Sequence, residues 1–153
     1  METVIRPDQK FAVIVDIDGT LANNDHRRHF VERDVGKKDW KSFNAFMHND
    51  VPNNHVVKVM ASLGMVVVLA TGRGEENRSV TEAWLAKWAI HYDALYMRPA
   101  KDYRSDVVVK RDLLDQIKGD GFVPYLSLDD RDSVVAMWRG EGIPCFQVAP
   151  GDF

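Results

Sequence analysis

Five short, nearly continuous apolar runs constrain most strongly how this chain can fold. The runs are FAVIV, MVVVLA, ALYM, PYLSL and CFQVA, and they are rich in Val and Leu. They lack the strict alternation of a strand that has one face in water, and such runs are typical of parallel strands covered on both faces. The sequence therefore predicts a five-stranded parallel sheet.

Segments with helical spacing separate these runs. We predict helices over residues 56–63, from a capping box that pairs Ser79 with Glu82, over residues 106–118, and over residues 132–140. Strand and helix alternate throughout the 153 residues. This is the pattern of one domain with a doubly wound, Rossmann-like α/β fold.

Residues 21–52, called the cap segment below, interrupt this alternation. They stand where a doubly wound fold normally has a short strand-to-helix loop. We predict a small cap insertion over the strand ends, because Phe30, Trp40, Phe43 and Phe46 require burial. The alternative is a helical excursion that lies in solvent.

Residues with reactive or charged side chains directly follow three of the apolar runs. They are Asp16, Asp18, Thr71, Gly72, Arg73, Asp129 and Asp130. In an open parallel sheet ligands bind at the carboxyl ends of the strands, so we expect these residues to converge. Strand alternation would also place Asp16 and Asp18 on the same face.

Four converging carboxylates would repel one another, and a hard divalent cation with oxygen ligands removes that cost. We predict a Mg²⁺ site, because Mg²⁺ accepts a few carboxylates and retains positions for water and a phosphate oxygen. A phosphate group would also explain Thr71 as a hydroxyl donor, Gly72 as a point of close backbone approach and Lys110 as a neutralising cation.

The motifs DIDGT, ATGR, Lys110 and LDDR, in this order, resemble the four motifs of the haloacid dehalogenase superfamily of phosphotransferases. From about Phe11 to Phe153, the chain further resembles the phosphatase half of the phage-type polynucleotide kinase 3′-phosphatases. Such proteins usually carry a kinase domain with a Gly-rich phosphate loop, and this sequence has no such motif. The resemblance therefore implies a phosphatase without the kinase, with a separate polynucleotide kinase or ligase as a possible partner.

The resemblance implies a role for each matching residue. Asp16 would be the nucleophile that forms an aspartyl phosphate, and Asp18 the acid–base. Mg²⁺ would be held by the Asp16 carboxylate, the Asp18 backbone carbonyl and either Asp129 or Asp130, with Asp129 favoured. We further expect that metal keeps Asp16 ionised and that a drier setting raises the pKa of Asp18.

Three further positions match residues that the polynucleotide phosphatases use. Arg27 and Arg73 would contact phosphate or nucleic acid, and Asp106 would orient Lys110. Asp106 also stands at the start of a predicted helix, where an N-cap is the alternative role.

Composition limits the substrate classes and the cellular location that the chain can have. The net charge of −3 excludes a globally basic nucleic-acid coat, so a polyanionic substrate requires local positive charge. The cap segment offers it in Arg27, Arg28, Arg33, Lys37 and Lys38. The lone cysteine, the lack of a signal-peptide pattern and the lack of a membrane-length apolar run lead us to expect a cytoplasmic protein without a membrane span.

We therefore expect a Mg²⁺-dependent phosphomonoesterase that removes 3′-phosphates from DNA or RNA ends. A phosphatase of a small nucleotide or sugar phosphate is the alternative, because superfamily membership alone does not determine the substrate. A non-catalytic module that binds phosphate ends is disfavoured by the complete set of Asp16, Asp18, Lys110 and Asp129.

Overall fold

The structure, a computed structural model, describes residues 8–32 and 36–153. The strands are β1 (Lys10–Val15), β2 (Ala22–Asn23), β3 (Val51–Pro52), β4 (Val66–Gly74), β5 (Ala94–Arg98), β6 (Phe122–Asp129) and β7 (Cys145–Gln147). The helices are α1 (Asp25–Arg28), α2 (Trp40–Ala45), α3 (Asn54–Ser62), α4 (Arg78–Lys87), α5 (Asp106–Gly119) and α6 (Asp132–Gly140).

The five predicted strands form one parallel sheet in the order β5-β4-β1-β6-β7. From the central strand β1 the chain first builds β4 and β5 on one side, and it then returns to build β6 and β7 on the other. The connections therefore diverge at the carboxyl end of β1, which is where ligands bind in open α/β sheets. The predicted fold class is confirmed.

Helices cover both faces of the sheet. Ala12 and Ile14 of β1 pack in the core that α5 and α6 cover, which includes Leu113 and Trp138. The alternate residues Val13 and Val15 pack in the opposite core with residues of α3 and α4. Both faces of β1 are thus buried, which explains its unbroken apolar run.

The cap segment leaves the sheet after β1 and returns before α3. Its ends are joined by an antiparallel pair in which Ala22 lies opposite Pro52 and Asn23 opposite Val51. Between β2 and β3 lie α1, α2 and a 3₁₀ turn at Met47–Asn49. This short ladder closes the excursion and holds it over the strand ends.

Burial of the cap aromatics follows the prediction only in part. Phe43 is buried, but Trp40 and Phe46 are 47% and 44% exposed, so the expectation that they require burial is wrong. Phe46 stacks on Phe30 at the surface, with ring centroids 5.8 Å apart. Trp40 packs edge-on against Phe43 and leaves its outer face open.

The start of α4 and the N-cap of α5 differ from the predictions, although α5 begins at Asp106 as predicted. The helix α4 begins at Arg78 after a 3₁₀ turn at Glu75–Asn77, so Ser79 lies inside the helix and does not cap it. Ser105 caps α5 by accepting a hydrogen bond from the Val108 N–H, so Asp106 is not the N-cap. Asp106 is thereby left to make contacts outside its helix.

Within residues 8–32 and 36–153, no helix combines the length and the apolar character that a membrane crossing requires.

Candidate active site

A cavity of about 1320 Å³ opens at the carboxyl ends of the central strands. Its floor contains Asp16, Asp18, Lys110, Asp129 and Asp130. Its walls include residues of the cap segment and residues of the loop 99–105. We call it the active-site cavity. The strand-end carboxylates thus converge at one edge of the sheet, as the sequence predicts.

Lys110 joins two of these carboxylates. Its Nζ donates to Asp16 Oδ1 and to Asp129 Oδ2, both at 2.8 Å. Burial lowers the pKa of Lys110, but the charges of Asp129 and Asp16 outweigh it and hold that pKa above its usual range. Lys110 is therefore a permanently charged group beside Asp16.

Asp16, Asp129 and Asp130 form a buried cluster whose ligand oxygens all lie within 4.8 Å of one another. Burial, together with the negative charge of Asp129, raises the pKa of Asp130 to about 6. Burial also raises the pKa of Asp16, against the opposing effect of Lys110. Among the described residues only Lys110 forms an ion pair with this cluster. When all three carboxylates are ionised, the one cation leaves two negative charges, and oxygen donors with that charge suit Mg²⁺.

Asp129 and Asp130 are held differently. Asp129 accepts hydrogen bonds from Lys110, from Trp138 Nε1 at 3.1 Å and from the Asp130 backbone N–H at 2.9 Å. Asp130 Oδ1 lies 3.5 Å from the Thr20 hydroxyl, which is beyond the usual hydrogen-bond range. The carboxylate of Asp130 is thus the less engaged of the two.

Asp18 faces a different set of charges from Asp16, although strand alternation would place both on one face. The strand β1 ends at Val15, and the chain turns through Gly19, whose φ is +80°. Asp18 Oδ1 accepts from Arg27 Nη2 at 2.5 Å and from Arg73 Nη2 at 2.8 Å. Burial alone would raise the pKa of Asp18. The positive charges of Arg73 and Arg27 lower this pKa by a larger amount, so it lies below its usual range. The expectation of a raised pKa for Asp18 is wrong in this arrangement.

Asp50, at the end of the cap segment, completes this arginine network. It is fully buried and accepts from Arg27 through both oxygens, at 2.8 and 2.6 Å. It also lies 3.4 Å from Arg73 Nη2 and 2.7 Å from His26 Nε2. Sequence reasoning missed Asp50, because its partner Arg27 is 23 positions away and no local pattern joins them.

Arg27 does not take the exposed position that the sequence predicts. It has no exposed surface, its guanidinium lies 4.1 Å from the centroid of Phe43, and its hydrogen-bonding groups contact Asp18, Asp50 and the Phe43 carbonyl. Arg73 is also buried, although it lines the cavity. Arg27 therefore lies behind Asp18 and not at the mouth.

The second predicted motif is divided between the cavity and the protein interior. Thr71 is fully buried, and its Oγ1 accepts from the Arg73 N–H at 3.1 Å. Gly72 lines the cavity, where a Cβ would lie 2.9 Å from Asp106 Oδ1. Thr71 thus shapes the turn, while Gly72 allows Asp106 to approach the backbone closely.

Asp106 contacts two arginines that sequence reasoning missed. It accepts from Arg98 Nη2 and, at 2.8 Å, from Arg131 Nη1. No hydrogen bond joins Asp106 to Lys110 among the described residues, so it does not orient Lys110 by direct contact. Its negative charge still helps to keep Lys110 protonated.

The predicted basic residues of the cap segment reach the cavity in part. Arg28 and Lys38 line it. Lys37 is exposed, and Arg33 lies outside the described residues. Lys101 and Arg104, from the loop 99–105, line the cavity as well. Cationic side chains from two segments of the chain therefore line a cavity with an acidic floor.

Comparison with known proteins identifies close similarity over nearly the whole chain. The profile of the family described as the polynucleotide kinase PNKP phosphatase domain matches residues 10–153. A chain in a solved structure of the Pnkp1/Rnl/Hen1 complex is 38% identical with a TM-score of 0.79, over 97% of this chain and 49% of that one. A chain in a structure of the Pnkp1/Rnl/Hen1 RNA repair complex is also 38% identical, with a TM-score of 0.75, over 97% of this chain and 45% of that one.

This chain thus spans about half the length of those two relatives. A haloacid dehalogenase-like hydrolase from Streptococcus pneumoniae is 16% identical with a TM-score of 0.60, over 89% of this chain and 83% of that one. This third likeness concerns the fold alone.

The Asp50→Asn variant should lose about 3–5 kcal/mol of its free energy of unfolding, because it leaves the Arg27 guanidinium buried without its main carboxylate. Chemical denaturation followed by circular dichroism measures the loss. Glu32→Gln is the matched control, since Glu32 pairs with Arg28 at the surface and should contribute at most about 1 kcal/mol. Equal, small losses in both variants would contradict a structural role for Asp50.

Proposed function

Because this chain belongs to the family of polynucleotide kinase PNKP phosphatase domains, we propose that it removes 3′-phosphate groups from polynucleotide ends. The observation that carries the proposal is the position of Asp16 at the carboxyl end of the central strand. Its carboxylate faces the cavity between Lys110 and Thr20 Oγ1, which lies 3.2 Å from Asp16 Oδ2. A carboxylate held in this way is suited to attack phosphorus.

In the proposed reaction an Asp16 oxygen forms a bond to phosphorus while the bond to the leaving 3′ oxygen breaks. The leaving oxygen takes a proton through Asp18, and water then attacks the aspartyl phosphate while Asp18 accepts the proton of that water. Since Arg27 and Arg73 keep Asp18 ionised, the first proton must enter from the substrate or from solvent. The products are inorganic phosphate and a 3′-hydroxyl end.

Lys110 and the arginine network have separate tasks in this proposal. Lys110 offsets the negative charge that builds up around Asp16 and the phosphoryl oxygens. Arg73 orients Asp18 from the cavity wall, and Arg27 fixes Asp18 from behind. Arg27 is thus a positioning residue.

The carboxylate cluster supports a bound Mg²⁺. We infer that Asp16 and Asp130 would supply carboxylate oxygens and Asp18 its backbone carbonyl, while Asp129 would mainly hold Lys110 and orient the loop. From the sequence, Asp129 is the favoured Mg²⁺ ligand. We propose Asp130 in its place, because the Asp129 carboxylate already accepts hydrogen bonds from three protein donors. Bound Mg²⁺ would neutralise charge on the transferring phosphoryl group.

The size of the cavity favours a polynucleotide over a small phosphate ester. Pockets for small ligands enclose roughly 300–1,000 Å³, and the cavity here is larger, at about 1320 Å³. Its walls carry Lys38 and Lys101, which form no ion pair among the described residues and could meet phosphates beyond the reacting one. Arg28 and Arg104 also line it but are paired with Glu32 and Asp102. A phosphatase of a mononucleotide or sugar phosphate remains the second candidate, since the phosphoryl site alone would serve either substrate.

We extend the proposal to partners and location. The two relatives that are 38% identical are found in a complex that acts in RNA repair, so RNA ends and a kinase or ligase partner are the natural expectation for this chain. A cytoplasmic location agrees with Cys145 as the single cysteine of the sequence.

Asp16→Asn should abolish phosphatase activity, because an amide is a poor nucleophile and removing the attacking group costs several orders of magnitude in rate. Release of inorganic phosphate from an aryl phosphate with Mg²⁺ measures this. The wild type should also yield a phosphorylated Asp16 peptide after an acid quench, detected by mass spectrometry. Activity above about one hundredth of wild type in Asp16→Asn would exclude the covalent mechanism.

Asp130→Asn should abolish the stabilisation by Mg²⁺. At a Mg²⁺ concentration about a hundredfold above its dissociation constant, binding should raise the wild-type melting temperature by roughly 5–10 °C. Thermal unfolding with Mg²⁺ and with EDTA measures the shift. Asp106→Asn is the control that should retain it, because Asp106 pairs with Arg98 and Arg131 outside the cluster. If Mg²⁺ raised the melting temperature of Asp130→Asn as much as that of the wild type, Asp130 would not be a Mg²⁺ ligand.

A 3′-phosphorylated oligonucleotide should have a higher kcat/KM than the 5′-phosphorylated oligonucleotide or the free 3′-mononucleotide. If two cavity cations meet the upstream backbone, log kcat/KM should fall with log[salt] at a slope of about −1.4. Initial rates across a salt series measure both quantities.

Lys101→Gln should flatten the salt slope by about 0.7, while Lys58→Gln, on the exposed face of α3 and away from the cavity, should not. Equal efficiency on oligonucleotide and mononucleotide, with equal salt dependence, would leave a small-molecule phosphatase.

A further inference from the structure

Two aromatic side chains on the walls of the active-site cavity have no part in the proposed phosphoryl chemistry. Trp40, in the cap segment, is 47% exposed, and Tyr103, in the loop 99–105, is 91% exposed; both line the cavity. Single exposed aromatic residues are common on protein surfaces and require no explanation. Here two of them, from separate segments of the chain, line the same cavity as the reacting carboxylate.

Trp40 is held in place from behind. It begins α2, whose N-cap Asp39 accepts hydrogen bonds from the backbone N–H and the hydroxyl of Ser42, at 3.0 and 2.7 Å. Its ring packs edge-on against Phe43 with centroids 5.6 Å apart, and Phe43 in turn packs on the buried Arg27. The fold thus holds Trp40 through an edge-to-face contact with Phe43, while nearly half of the residue stays exposed.

The loop that carries Tyr103 is braced at several points. Arg98 donates to the carbonyl oxygens of Asp102 and Arg104, and also to that of Gly72. The Asp102 carboxylate accepts from the backbone and the side chain of Arg104. The loop also holds Lys101 at a φ of +60°, a conformation that costs energy for a residue with a Cβ. Tyr103 is therefore presented to solvent by a well-ordered loop.

The charges beside these rings indicate an anionic ligand with planar groups. Lys38 Nζ lies 5.7 Å from the centroid of Trp40. Tyr103 lies between Asp102 and Arg104, which pair with each other, and Lys101 precedes them without an ion pair among the described residues. Cations that follow a backbone of phosphates, with aromatic rings that stack on successive bases, form the usual combination in proteins that bind single-stranded nucleic acid. A sugar phosphate offers no ring to either aromatic residue.

We propose that Trp40 and Tyr103 form a stacking site for unpaired bases next to the reacting 3′-phosphate. This inference rests on the proposed function, and it narrows the substrate to ends whose last bases are single-stranded. Every base has a flat face, so the site should tolerate any sequence. A base-paired end should fit poorly, because its terminal bases already stack within the duplex.

Equilibrium binding in EDTA tests the proposal without turnover, because the proposed reaction requires Mg²⁺. The probe is a short, fluorescently labelled, 3′-phosphorylated single strand. The comparison strand has the same backbone but carries abasic sites in place of its last two bases, and we call it the abasic strand. Fluorescence anisotropy gives the dissociation constants. Stacking contributes about 1–3 kcal/mol per base, so Trp40→Ala and Tyr103→Ala should each weaken binding of the intact strand by about 5- to 150-fold. Trp40→Phe and Tyr103→Phe should retain most of the wild-type affinity, because they keep an aromatic ring.

The abasic strand distinguishes stacking from a structural effect. If the rings contact bases, each Ala substitution should weaken binding of the abasic strand by less than about twofold, because the base that the ring would contact is already absent. Equal losses on both strands would overturn the proposal and make the rings structural. Tyr125→Ala is the control, because Tyr125 is 58% exposed on β6 but does not line the cavity, and it should bind both strands as wild type does.

The outcomes separate this inference from the proposed function. Wild-type affinity for the intact strand in both Ala variants would reject the stacking site, even if the enzyme removes 3′-phosphates. Base-dependent binding without any 3′-phosphatase activity would reject the proposed function and keep the stacking site. A blunt duplex that binds as tightly as the single strand would also overturn the inference.

Discussion

The close packing of carboxylates at the carboxyl end of β1 is the constraint on which the rest of the structure depends. Asp16, Asp129 and Asp130 are buried within a few ångström of one another, and Asp18 is only two residues from Asp16. Carboxylates that are buried and unpaired would be protonated or would destabilise the fold. Each element around the site therefore supplies a cation or a donor, and the site follows from that requirement.

The cations that offset the charge of these carboxylates come from three separate parts of the chain. The helix α5 supplies Lys110 to Asp16 and Asp129. The last residues of β4 supply Arg73 to Asp18, and α1 in the cap segment supplies Arg27 to the same carboxylate. Asp50 then balances the two arginines from the far end of the cap segment. The cap segment is thus bound to the core through the same ion pairs that separate Asp18 from Asp16. Loss of the cap would leave Asp18 without Arg27 and would change the chemistry of the floor.

The sequence predicts the core of this arrangement because the relevant signals are local. A strand covered on both faces needs an unbroken apolar run, and the ends of parallel strands must meet, so Asp16, Asp129 and Asp130 could be brought together without a structure. Lys110 lies on a helix, and it is assigned to the same site from phosphate chemistry and from the family resemblance. The surroundings of Arg27 could not be predicted in this way. Its burial depends on Asp50 and Phe43, which meet it only after the cap segment folds back through β2 and β3. The positions of Trp40 and Asp106 were misjudged for the same reason: the residues that support or pair with them are set by tertiary contacts.

The division between core and periphery also separates chemistry from recognition. The carboxylate cluster and Lys110 are held by β1, β6 and α5, whose packing leaves little freedom, and they act on a phosphoryl group whatever it is attached to. Trp40 and Tyr103 lie instead on the cap segment and on a surface loop, where a substitution does not disturb the buried core. A phosphatase of this fold can therefore change its substrate by altering the walls of the cavity while the floor stays the same. In the proposed function, the floor would remove the phosphate, and the walls would determine from which molecule it is removed.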